Sequence, residues 1–172
     1  RRNNRAAIRA TGSASQAACS GTPDGTDNVI VCTPAVANGT VVDGLGGDDT
    51  FDLNPVSGDN LELGDGGAVT LIGDSGRDTF DFGNASGFQV IVGASTGGEG
   101  TFAGGDDNDF FQALDGVVIG WTGHGTLLGG SGDDAFDLSS AQLGISPAGK
   151  GVVDGGAGND TIAFGQGSLG GG

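Results

Sequence analysis

Methionine and tyrosine are absent, tryptophan and histidine occur once each, and cysteine occurs twice. With a single histidine and two cysteines there is no candidate zinc set. No stretch approaches the roughly 20 apolar residues needed to cross a bilayer, so no spanning helix is expected. The basic start of the chain has no apolar middle and is not an intact signal peptide. With no initiator methionine, we expect a processed product or an excised fragment. Positive charge is scarce as well: Arg1, Arg2, Arg5 and Arg9 crowd the first ten residues, and only Arg77 and Lys150 follow. A body of net charge -16 repels nucleic acid and anionic membrane. Its expected partners are cations, cationic surfaces or sugars.

What the chain does have is glycine, 39 of its 172 residues, and aspartate. Glutamate appears only at Glu62 and Glu99, so the acid is of the kind that tolerates tight turns and left-handed backbone. Between the glycines run short apolar pieces, among them NVIVC, VTLI, FQVIVG, GVVIGW and GTLLG. Short strands bounded by Gly, Asp, Asn and Ser, with no sustained helical period, predict an all-β chain.

Five stretches align on one another: GLGGDDTF from Gly44, GDSGRDTF from Gly73, GGDDNDFF from Gly104, GGSGDDAF from Gly129 and GGAGNDTI from Gly155. Each holds a shared aspartate, Asp49, Asp78, Asp109, Asp134 or Asp160, and two places later a large apolar residue, Phe51, Phe80, Phe111, Phe136 or Ile162. The aspartates are 29, 31, 25 and 26 residues apart. Such a period is the mark of a stacked repeat. About three strand-like pieces per repeat predict a right-handed parallel β-helix of about five coils, each of 25–31 residues with three short strands. Phe51, Phe80, Phe111, Phe136 and Ile162 are then one internal column. Leu53, Phe82, Ala113, Leu138 and Phe164 are a second, and Val42, Leu71, Phe102, Leu127 and Val153 a third. The expected organisation is a basic arm over 1–18, a disulfide-bearing cap and the first strands over 19–43, the solenoid repeats over 44–165 and a glycine-rich tail over 166–172. The tail stops after one strand of a coil, so we expect more protein to follow or another copy to complete the stack.

Stacking returns the shared aspartates to one corner of every coil. Neighbouring carboxylates about 4.8 Å apart repel by roughly 3.5 kcal/mol at an effective dielectric near 20. A hard cation held by carboxylates and glycine-exposed carbonyls removes that repulsion, and calcium suits irregular oxygen sites best. The competing reading is of turn-forming Gly/Asp corners, hydrated and without metal.

GGSGDDAFD from Gly129 and GGAGNDTIA from Gly155 match every defined position of the nonapeptide GGxGxDxUx, and so the chain resembles the calcium-binding repeats-in-toxin family. The other three copies depart from it: Leu45 and Asp74 replace the second glycine, and Asp107 the third. The resemblance implies Ca2+ ligands at Asp49, Asp78, Asp109, Asp134 and Asp160, helped by loop carbonyls, with a weaker claim for Asp48 and Asp133. Family members carry their nonapeptides in tandem. Here some twenty other residues follow each, which points to a wider, three-sided coil with one calcium-bearing edge. The opening CSGTPDGTDNVIVCT also resembles the cysteine-bearing start of alphaproteobacterial autotransporter passengers.

Cys19 and Cys32 flank a turn-like segment, and a local disulfide fits that spacing and implies an oxidising compartment. Two unpaired small hydrophobes remain the other reading. The lone His124 beside Trp121 lies in no nucleophile motif, so no enzyme is expected. The leading expectation is a secreted or cell-surface, calcium-stabilised structural solenoid that associates head to tail with copies of itself into a filament or layer. Arg1, Arg2, Arg5 and Arg9 would dock on a neighbour's aspartate edge; the alternative for this arm is a solvated tail. Two other functions stay open: an adhesin or autotransporter segment that binds polysaccharide or a host surface through Trp121 and His124, and the secretion module of a larger toxin or enzyme.

Overall fold

A computed structural model describes residues 9–10, 19–21, 23–32, 36, 38–53, 60–83, 89–93, 97–113, 117–120, 122–143 and 149–165. Arg1, Arg2, Arg5, Trp121 and the tail beyond Gly165 lie outside the described residues.

Two short strands come first, β1 (Arg9–Ala10) and β2 (Cys19–Ser20), then β3 (Val29–Cys32). Four full turns of three strands follow. They are β4 (Thr40–Asp43), β5 (Thr50–Asp52) and β6 (Leu61–Leu63); then β7 (Ala68–Ser75), β8 (Thr79–Asp81) and β9 (Val90–Val92). The third turn holds β10 (Glu99–Asp106), β11 (Phe110–Gln112) and β12 (Val117–Ile119). The fourth holds β13 (His124–Ser131), β14 (Ala135–Leu138) and β15 (Gln142–Leu143). A fifth turn contributes β16 (Lys150–Ala157) and β17 (Thr161–Phe164).

The strands form three sheets, in the orders β1-β4-β7-β10-β13-β16, β17-β14-β11-β8-β5-β3-β2 and β15-β12-β9-β6. Each sheet takes one strand from each coil, and the pairing between coils is parallel. This is a β-solenoid of about four turns, with no helix among the described residues, the all-β parallel architecture that the period predicts. Parallel stacking starts at β3 and β4, inside the segment that the sequence assigns to the cap and the first strands.

Alternation along the strands builds the interior. Phe51, Phe80, Phe111 and Phe136 stack as parallel rings, with centroids 4.5–4.7 Å apart and planes within 9°. Parallel in-register pairing of identical side chains forces this overlap, and Phe102 closes the column edge-on against Phe80 and Phe82. Leu53, Phe82, Ala113 and Leu138 are buried in the second column, and Val42, Leu71, Phe102 and Leu127 in the third. On the last coil Ile162 is 37% exposed and Phe164 46%, because among the described residues no strand lies over them.

The opposite end is covered. β1 pairs antiparallel with β4 and β2 antiparallel with β3, placing Cys19 opposite Cys32 in a disulfide. Arg9 is thus part of the chain's own first sheet. Both cysteines are buried in the same core cluster as Ile30, the first residue of the phenylalanine column.

Candidate metal centre

Each nonapeptide forms the corner between a long strand of the first sheet and a short strand of the second. Its second and fourth residues must adopt positive φ. Glycine does so at Gly105, Gly130 and Gly156 and at Gly47, Gly76, Gly132 and Gly158. Leu45 (φ 75°), Asp74 (φ 80°) and Asp107 (φ 72°) are the only described non-glycine residues with positive φ, and they are the three that replace consensus glycines. The stacked coil holds the corner in shape even where an L side chain opposes it, at a cost of roughly 1–2 kcal/mol each.

The sixth residue of the corner, the shared aspartate, turns inward. Asp49, Asp78, Asp109 and Asp134 are 1–2% exposed, and Asp160, on the last coil, is half-buried. One oxygen of each carboxylate ties two coils together. Oδ1 of Asp49, Asp78, Asp109 and Asp134 accepts the backbone N–H of Asn28, Asp49, Asp78 and Asp109 respectively, each at 2.8 Å. Asp160 Oδ1 accepts that of Asp134 at 3.0 Å. Asn28 therefore holds the first place in the same file, a sixth position that the five-fold alignment misses. Its signal is DNVIV, which repeats the acid-then-apolar spacing of DDTFD with asparagine for aspartate.

The other oxygen has nothing. Oδ2 of Asp49, Asp78, Asp109 and Asp134 is buried without a hydrogen-bond partner. Its direction is given by the first glycine of each corner. A methyl group on Gly44, Gly73, Gly104 or Gly129 would overlap the Oδ2 of the aspartate five residues on, and it would also abut the carbonyl oxygen of the first glycine in the next coil, respectively Gly73, Gly104, Gly129 and Gly155. The residue-by-residue pairing of the long strands is interrupted at this glycine, passing for example from Ala103↔Leu128 to Gly105↔Gly130. At four levels, then, a carboxylate oxygen and a glycine carbonyl oxygen converge on one spot without a donor for the carboxylate.

The chain matches no protein-family model, no curated protein and no solved structure.

Burial is the main electrostatic consequence. It raises the carboxyls of Asp78 and Asp109 to about 7 against a usual 3.8. The backbone N–H on Oδ1 pulls the other way, and neighbouring carboxylates add to the rise. Asp49 and Asp134 are raised too, again chiefly by burial. An ionised carboxylate with one oxygen unsatisfied in such a place is unfavourable unless a proton or a cation joins it. Among the described residues no three His, Cys, Asp or Glu side chains gather into a metal-holding group, so an ion at these corners would draw on main-chain oxygens. A hard cation that accepts carbonyl and carboxylate oxygens in irregular number fits that donor set, and calcium is such a cation.

The fifth residues form a second, outer file. Asp27 Oδ1 accepts the N–H of Asp48, Asp48 Oδ1 that of Arg77, Asn108 Oδ1 that of Asp133, and Asp133 Oδ1 that of Asn159. Asp48 and Asp133 are exposed and capped in this way, unlike the orphaned inner oxygens. Beside this file a shallow cleft is lined by Asp48, Thr50, Arg77, Thr79, Asn108 and Phe110. His124 is exposed at the start of β13, in register with Glu99 and Lys150.

Proposed function

We propose that this chain is an extracellular, non-enzymatic structural solenoid whose coils are clamped together by calcium along the aspartate corner and which associates with copies of itself. The observation that carries the calcium part is the vertical run of four buried, unpartnered Oδ2 atoms, each facing a glycine carbonyl of the adjacent coil. Asp49, Asp78, Asp109 and Asp134 would hold the ions with the carbonyls of Gly73, Gly104, Gly129 and Gly155. A bound divalent ion would supply charge neutralisation there and nothing else. The two nonapeptides that keep every family position, from Gly129 and Gly155, support the same reading and its kinship with repeats-in-toxin proteins. The buried disulfide is in keeping with an oxidising, extracellular setting.

Self-association is supported by the last coil, where Ile162 and Phe164 are exposed in line with the buried columns of the coils before. It is also supported by the contrast between the arginine-rich first ten residues and an acidic body. β1 and β2 already cover the other end, so a neighbour would meet the arm and these strands rather than an open coil. Sedimentation velocity in calcium tests this: the parent protein should form species larger than one chain, and Phe164→Asp should remove them. A parent that sediments as a single chain at every concentration would end the assembly reading.

The cleft lined by Arg77, Asn108, Thr50, Thr79 and Phe110 favours a second reading, a glycan-binding surface module, because hydroxyl, amide and guanidinium donors sit beside an aromatic ring. Glycan-array binding that is lost on Phe110→Ala would select it.

A further inference from the structure

Resting on the calcium reading above, we infer that a corner's capacity for an ion is set by the presence of the next coil and not by its agreement with the nonapeptide. The geometry assigns four positions, at Asp49, Asp78, Asp109 and Asp134, and withholds a fifth from Asp160.

Agreement with the nonapeptide ranks the corners differently. By sequence the copies from Gly129 and Gly155 are complete and the first three are degraded. Yet Leu45, Asp74 and Asp107 hold the same left-handed turn that glycine gives elsewhere, so their side chains leave the corner backbone intact. Behind each of them the aspartate is buried with an orphaned Oδ2, as at the fully matching Asp134. Asp160 differs although its nonapeptide is complete. It is half-buried, its Oδ2 is not among the buried orphans, and the three atoms nearest a methyl group built on Gly155 all belong to Asp160 itself. At the other four corners the same methyl group also meets a carbonyl from the coil that follows. An ion at Asp160 would have a carboxylate but no facing carbonyl among the described residues. Asp48 and Asp133 fall outside the assigned set for a different reason: they are exposed and each already caps a backbone N–H of the next coil.

Native mass spectrometry of the full chain at near-neutral pH, titrated with calcium, counts the ions on a single chain. The expected maximum is four. Asp160→Asn should still bind four, whereas Asp78→Asn and Asp134→Asn should each bind three, with far-UV circular dichroism confirming that every variant is folded. A count of five in the parent, a count of two, or a loss of one ion in Asp160→Asn would overturn the assignment while leaving the calcium reading standing. No bound calcium in the parent would overturn both.

Discussion

Asp109 Oδ1 accepts the backbone N–H of Asp78 at 2.8 Å across 31 residues of sequence. A carboxylate of one coil thus replaces a missing rung in the ladder to the coil before it, and the same bond recurs along the file. The second oxygen of that carboxylate is what makes the arrangement costly, since it is buried and has no donor. Structure and charge are therefore coupled at each corner: the side chain that fastens the backbone also demands a partner of its own.

Asp78 allows the two roles to be separated. Asp78→Asn keeps an oxygen for the Asp49 N–H and offers the Gly104 carbonyl an amide donor in place of the orphaned Oδ2. In chelator this variant should be more stable than the parent by about 1–3 kcal/mol, and Asp78→Ala less stable by a similar amount. Chemical denaturation measures both. An asparagine variant no more stable than the alanine one would count against the orphan-oxygen argument.

Stability of the calcium-free chain should depend on pH in an unusual direction. With Asp78 and Asp109 raised to about 7 from 3.8, the folded state binds more protons than the unfolded chain between those values. Their stabilising contribution is fully present below the unfolded value and is lost as the pH rises through the interval to about 7. Denaturation midpoints in chelator should fall between about pH 5 and about pH 8, and saturating calcium should abolish the fall by favouring the charged form. A midpoint in chelator that climbs with pH would show that these carboxylates are not the controlling groups.

The solenoid was legible because its signals are periodic. Phe51, Phe80, Phe111 and Phe136 share a register in the sequence and therefore a column in space, and the cysteines flank a short turn. The inward turn of the aspartates was not legible. Repeat spacing tells which residues share a corner, but the direction of each carboxylate oxygen depends on how the loop closes against the coil beside it. For the same reason Asn28 escaped notice: its membership in the file follows from the pairing of Val29 with Thr50 and Ile30 with Phe51, not from a glycine signature. The covering strands β1 and β2 carry too few residues to leave a pattern. Asp160 shows the converse, a complete nonapeptide whose partner coil is missing among the described residues.

Gly129 and Asp134 should be energetically coupled. A methyl group at Gly129 overlaps the Asp134 carboxylate, so Gly129→Ala alone should displace it and destabilise the fold. Once Asp134→Ala has removed the carboxylate, that overlap is gone and only the contact with the Gly155 carbonyl oxygen remains. A double-mutant cycle should give a coupling of about 1–3 kcal/mol, and additivity within about 0.5 kcal/mol would contradict the overlap.

The Cys19–Cys32 disulfide fastens the covering strand β2 to β3. Replacing both cysteines by serine should lower stability by about 3 kcal/mol, the loop-closure value for a separation of 13 residues. Equal denaturation midpoints for the parent and the double variant would show that the first coil stands without it.

The central claim is that a divalent ion completes the aspartate corner, and thermal unfolding followed by far-UV circular dichroism at about pH 8 tests it most directly, where the buried carboxyls are charged. If each corner is filled at about 100 times its dissociation constant, each adds roughly 2.7 kcal/mol, so millimolar calcium should raise the midpoint by many degrees over chelator. Identical melting curves in calcium and in chelator would contradict the account.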